Sequence, residues 1–143
     1  MIKVVPFEPE HMVNIDKSDV NSKVLEFLDD LDYRAECYAK AGPAITMLLG
    51  DTVLAIGGVL RLWPGVGEAW MMVAPEGRQK GVALYKTMKV FLDNCEGFHR
   101  IQTSVLYGHS VAHRCIMQLG FIPEGMMVHY GPNKENYVRY VRF

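Results

Sequence analysis

The chain has 143 residues, half of them hydrophobic and 22% charged, which suits one compact domain able to bury its own core. Fifteen basic against sixteen acidic residues leave a formal charge of -1, so nothing in the overall balance attracts nucleic acid or an anionic membrane. Cys37, Cys95 and Cys115 stand far apart with no C-x-x-C pair. That spacing argues against a disulfide scaffold or a structural zinc site, and the three read as small buried hydrophobes in a reducing, cytoplasmic compartment.

Residues 2–5 suggest a first strand, closed by Pro6, rather than a signal peptide. Residues 8–14 follow as a short helix or turn. Ser18, Asp19 or Asn21 can cap the next element, because their side-chain oxygens accept from free helix amides. Val24, Leu25, Leu28 and Leu31 then recur at helical spacing, with Glu26, Asp29 and Asp30 between them. Residues 33–41 either continue that helix or form a second, and Gly42-Pro43 stops it.

Beyond Pro43 the hydrophobic period shortens. Residues 44–49 and 53–63 read as two strands joined at Gly50-Asp51, a hairpin signal. Gly57-Gly58 inside the second strand predicts a bulge or a close backbone approach. Residues 64–67 make a turn, and residues 68–74 form a third strand that ends at Pro75. The doublets Met71-Met72 and Met126-Met127 send one methionine to each face of a sheet.

Leu84, Met88, Phe91, Leu92 and Cys95 stripe the next helix, and Gly97 ends it. Residues 101–106 form a strand. A helix over 110–118 buries Ala112, Cys115, Ile116 and Leu119, and Gly120 closes it. Residues 126–130 and 137–143, around a turn at 131–133, are a final antiparallel pair. The order is β-α-α-β-β-β-α-β-α-β-β. It predicts a single α/β domain over 1–143, with a mixed, mostly antiparallel central sheet and helices on both faces.

The chemistry is concentrated where the strand before Pro75 runs into Arg78, Gln79, Lys80, Gly81, Val82 and Ala83. A strand feeding a basic, glycine-containing loop that opens a helix makes an anion site. The first helix amides are unpaired, and the aligned peptide dipoles favour negative charge there. Gly81 removes the Cβ that would hold a phosphate away. The loop is neither a Gly-Lys-Ser/Thr nucleotide loop nor a Gly-x-Gly-x-x-Gly dinucleotide turn. The plainer reading is a capping turn with solvated charges.

At this point the sequence resembles the GNAT superfamily, the Gcn5-related N-acetyltransferases. Their Arg/Gln-x-x-Gly-x-Gly/Ala signature stands here from Arg78 to Ala83, after a strand exit Val73-Ala74-Pro75. Ala112, Leu119, Gly120 and Phe121 fit the family's second helix and Gly-Phe strand entry. The chain also resembles small phage-encoded members of that superfamily.

The resemblance implies a mixed GNAT sheet and an acetyl-CoA cosubstrate, with no metal. The amides of Gln79, Lys80, Gly81, Val82 and Ala83 would cradle the pyrophosphate, with Arg78 and Lys80 at the rim. Met71, Met72 and Val73 would pair with the pantetheine arm in a splay between two strands, His109 would touch that arm, and the Val73 amide would face the thioester oxygen. Glu68 would be the general base, directly or through water. The family's thiolate-protonating tyrosine is replaced by Ile116, which leaves Tyr107, His109 or His113 as candidate acids. His109 and His113 lack a third ligand for a metal.

Two functions follow. One is an N-acetyltransferase for a primary amine of a small molecule or protein, without nucleic-acid or membrane partners and with a homodimer contact through the last strands. The other is a non-catalytic acyl-CoA-binding or structural module on the same fold.

Overall fold

The computed structural model describes residues 1–18 and 30–143. The predicted caps Asp19 and Asn21 and the stripe Val24, Leu25 and Leu28 lie outside the described residues. The elements in order are β1 (Ile2–Pro6), α1 (Pro9–Asn14), α2 (Leu31–Lys40), β2 (Ala44–Leu49), β3 (Thr52–Trp63) and β4 (Gly65–Val73). There follow α3 (Pro75–Arg78), α4 (Gly81–Asp93), β5 (Phe98–Leu106), α5 (Ser110–Gln118), β6 (Ile122–Met127) and β7 (Tyr137–Arg142).

The strands form one seven-stranded sheet in the order β1-β2-β3-β4-β5-β7-β6. Every pairing is antiparallel except β4 with β5. A parallel pair needs a long crossover, and α4 supplies it. The predicted final pair is present, but its first strand runs over Ile122–Met127 rather than 126–130, and β7 is inserted between β5 and β6 so that β6 becomes an edge.

Side-chain alternation along the strands gives the sheet two apolar faces. On one face Val59, Ile101, Val105 and Tyr140 pack with Met88 and Leu92 of α4, and with Leu119 and Phe121. On the other, Ile56 packs with Phe7, Met12 of α1 and Ala35 of α2. Leu84, Met88 and Leu92 are buried as the helical stripe predicts. Each such side chain contributes roughly 1.5–3 kcal/mol on burial. Met71 is exposed on the α4 face, while Met72 packs in the α1/α2 cluster.

Three local expectations change. The turn at 64–67 tightens until only Pro64 separates β3 from β4, with Gly65 at φ 85° reversing the chain. The glycine pair in β3 marks close approach rather than a bulge. A Cβ on Gly58 would strike the Pro43 carbonyl, and the β3 register shifts lie elsewhere, at 47/48 and 61/63. The cysteines are not core residues: Cys37 and Cys115 are exposed and Cys95 is half-buried. α5 accordingly rests on the core through the apolar Ala112 and Ile116, with His113 set against Tyr140. No described helix is long and apolar enough to cross a membrane.

Candidate active site

Pro75, with its fixed φ and missing N–H, starts the single-turn helix α3 directly after β4. The Ala74 amide donates to the Leu54 carbonyl of β3 at 2.9 Å, and the Gly77 amide closes onto the Ala74 carbonyl at 2.9 Å. Gly77 is buried, and a Cβ there would strike the Leu54 carbonyl, so this turn lies flat on β3 because it has no side chain.

The Lys80 amide is spent on the Gly77 carbonyl at 2.9 Å. The first bond of α4 runs from the Leu84 amide to the Lys80 carbonyl, at 3.0 Å. Gly81, Val82 and Ala83 precede it, and no side chain caps the helix. Their three amides are therefore the open end of α4. They line an outward-facing recess of about 580 Å³ together with Arg78, Gln79, Lys80 and Lys86. An added Cβ on Gly81 meets nothing within 4 Å.

Beside this helix start the sheet comes apart. The β4/β5 ladder runs only from Gly65↔Phe98 to Glu68↔Gln102, although β4 continues to Val73 and β5 to Leu106. Just past the last rung, the Thr103 hydroxyl donates to the Ala69 carbonyl at 3.1 Å and clasps the apex. Strand alternation fixes which groups face the gap. Ala69 turns its carbonyl towards β5 and Ala74 turns its amide towards β3, so Met71 and Val73 present their main-chain N–H and C=O to the gap. Met72 points its main-chain groups at β3 and its side chain into the α1/α2 cluster.

Glu68 stands at the apex, on the α1/α2 face. Its Oε1 accepts from Gln102 Nε2 at 3.0 Å and from Arg139 Nη1 at 2.9 Å, and its Oε2 lies 3.2 Å from the same Nη1. One lone-pair direction of Oε2 stays open to solvent or substrate. Beyond it, Arg100 donates Nη1 at 2.8 Å and Nη2 at 2.5 Å to Glu124, and Nε at 2.9 Å to Gln102. Trp70 and Tyr38 pack edge to face at 4.9 Å beside Glu68. Burial pushes the Tyr38 phenol above its usual pKa; Arg34 opposes that rise and Glu68 adds to it.

Tyr107, His109 and His113 sit at the far end of β5, at the start of α5. The α5 helix packs on the opposite face of the sheet from Glu68, so the expected base and acids meet only through the gap. His113 Nε2 lies 3.0 Å from the Leu106 carbonyl, which can only accept, so Nε2 carries the proton of the neutral ring. Nδ1 then accepts from the Tyr140 hydroxyl at 2.6 Å, which leaves His113 no free N–H. His109 caps α5, its Nδ1 accepting from the Ala112 amide at 3.3 Å, so its Nε2–H is free to donate. Tyr107 is exposed, and its hydroxyl has no protein partner among the described residues. Ile116 packs against the core.

A larger recess, about 810 Å³, lies between α1 and α2 and is lined by Glu8, Glu10, Asp32, Glu36 and Tyr33. It contains none of the residues singled out in the sequence. Reading the sequence missed Arg139, Gln102 and Thr103, whose partners are 34 to 71 positions away along the chain.

A helix start with open amides thus stands next to a strand edge released from its parallel neighbour. The chain has the GNAT acetyltransferase fold. It matches the ribosomal-protein-S18-alanine N-acetyltransferase of Escherichia coli with a TM-score of 0.78, covering 99% of this chain and 93% of that one at 14% identity. An F149G mutant of SpeG spermidine N-acetyltransferase from Vibrio cholerae matches at 0.72, covering 98% and 92% at 18% identity. A GNAT-family acetyltransferase of Streptococcus pneumoniae matches at 0.72, covering 99% of both chains at 11% identity. No protein-family model and no curated relative matches the sequence. At these identities it is the GNAT fold that is shared.

Proposed function

We propose that this chain, acting as one domain over 1–143, is an acetyl-CoA-dependent N-acetyltransferase for a primary amine. The observation that carries the reading is the adjacency of two unpaired main-chain edges: the amides of Gly81, Val82 and Ala83, and the β4 edge at Met71 and Val73. The first suits a pyrophosphate, with Arg78, Lys80 and the Gln79 side chain at its rim. The second suits the amides of a pantetheine arm, which would add to β4 as a short strand.

An arm running from Gly81 along Val73 and Met71 reaches the Glu68 apex with its acyl end. Val73 lies five residues from Glu68, roughly 16 Å along the strand, whereas Met71 is only about 10 Å away. The Met71 N–H therefore joins the Val73 N–H as an oxyanion donor, and is the better placed to act with Glu68. Glu68, directly or through one water, takes the proton of the attacking amine. The N–C bond forms, the C–S bond breaks, and the CoA sulfur leaves as a thiolate that accepts a hydrogen bond from His109 Nε2–H, or takes a proton from the Tyr107 hydroxyl.

Incubation with acetyl-CoA and a broad amine panel, followed by free-thiol detection, is expected to show release above the no-amine rate. Calorimetry with CoA accompanies it. Absence of both thiol release and CoA binding overturns the proposal. Binding without release supports the second reading, a non-catalytic acyl-CoA-binding module, which is favoured by the aliphatic Ile116 packed where a hydroxyl is wanted.

The homodimer belongs to this proposal too. β6 is one of the two edges of the sheet, the other being β1, and Ile122 and Met126 are exposed on it. Light scattering is expected to return twice the 16.2 kDa chain mass. A monomer at assay concentration removes the dimer from the proposal.

A further inference from the structure

Two arginines share the sheet face around Glu68, and they differ in how they are used. Arg100 engages all three of its nitrogens: Nη1 and Nη2 grip Glu124, and Nε grips Gln102. Arg139 commits Nη1 alone, to Glu68. A guanidinium carries five N–H donors in a planar fork. The Arg139 Nε and Nη2 have no protein acceptor among the described residues, and they are not sealed from solvent.

The surroundings of Arg139 leave room for a ligand. Its cross-strand neighbour on β6 is Gly125, where an added Cβ meets nothing within 4 Å. Its neighbour on β5 is Ser104, whose hydroxyl also lacks a protein partner among the described residues. Ser104 is two residues past the last β4/β5 rung, so Ser104 and Arg139 form the β5/β7 bank of the gap, with Glu68 at its apex and Trp70 and Tyr38 on the β4 bank. One bank offers donors for an anion, the apex an acceptor for an ammonium, and the other bank two aromatic rings.

The geometry points to an amine that carries its own carboxylate, a free amino acid with an apolar side chain, as the acceptor. Arg139 and Ser104 take its carboxylate, Glu68 takes its ammonium, and Trp70 and Tyr38 take its side chain. A bidentate guanidinium–carboxylate pair is directional and is strong for a hydrogen-bonded contact, so the carboxylate sets the orientation of the amine. A polyamine offers Arg139 no acceptor, and a peptide N-terminus offers it only a neutral carbonyl in place of a carboxylate. This inference rests on the acetyltransferase reading for the reaction, but not for the binding.

The test compares phenylalanine and leucine with phenylalaninamide, leucinamide and spermidine. It uses thiol release from acetyl-CoA and, separately, calorimetry in the presence of CoA. The free amino acids are expected to exceed their amides by about tenfold or more in kcat/KM and in affinity, as loss of a charge-assisted pair implies. Arg139→Gln is expected to bring the acid-to-amide ratio of kcat/KM and of affinity to about one, whatever the loss of the Glu68 partner does to both rates together, and Arg139→Lys to restore part of the ratio. A thermal melt of each variant confirms folding. The acid-versus-amide comparison on the unmodified protein needs no variant at all.

Equal use of acids and amides, or a preference for spermidine, overturns the inference and leaves the acetyltransferase standing. Arg139-dependent binding of the amino acids without thiol release upholds the inference and removes the catalytic reading. Neither binding nor release overturns both.

Discussion

Gly81→Trp is expected to weaken CoA binding by about 100-fold or more, the loss of at least two charge-assisted amide–phosphate hydrogen bonds. The fold should survive it. The position is the first residue of α4, its Cβ direction is open, and its φ is outside the left-handed region. Glycine is also the poorer helix former, so the thermal midpoint should stay within a few degrees. An indole there covers the open amides of Gly81, Val82 and Ala83 and fills the recess they line. Calorimetry with CoA and a melting curve on the same preparation check it. Wild-type affinity in a folded variant removes the phosphate from this helix start. Gly77 is the contrasting glycine: its missing Cβ makes room for protein, the Leu54 carbonyl, whereas that of Gly81 makes room for solvent or ligand.

That contrast also measures what could be read beforehand. Element order was legible because long periodic segments carry their own signal: the α4 stripe Leu84, Met88 and Leu92 is buried as its spacing says. The helix-start site was legible because its parts are consecutive, from Val73 to Ala83. The gap itself was expected only from family resemblance, since where a ladder stops depends on strands distant in sequence. The polar cluster on the open face was not legible. Glu68 meets Arg139 across 71 positions, through β7 inserted beside β5, and one arginine in a strand looks like another until the register is known. The exposed cysteines misled for a related reason. Cys115 falls on the α5 stripe by spacing, yet the short helix faces the sheet through the partly buried Ala112, His113 and Ile116 and leaves Cys115 exposed.

Glu68→Gln is the second large effect, expected to lower kcat by about 10²–10⁴ at neutral pH, the usual contribution of a general base. Glutamine retains the length, and its amide oxygen can keep accepting from both Arg139 and Gln102, so the cluster should keep its shape. The distinguishing readout is the pH profile. Without a carboxylate to take the proton, only amine already deprotonated in solution reacts, so the variant's rate should climb about tenfold per pH unit towards the amine's own pKa. The unmodified protein, with Glu68 in place, should level off at lower pH. CoA affinity is expected to be unchanged, because the phosphate site lies beyond the other end of β4. A variant with undiminished kcat and an unaltered profile would make Glu68 only a partner of Arg139. The proton would then leave through water at the apex, because burial holds the half-buried Tyr38 hydroxyl above its usual pKa and makes it a poor base.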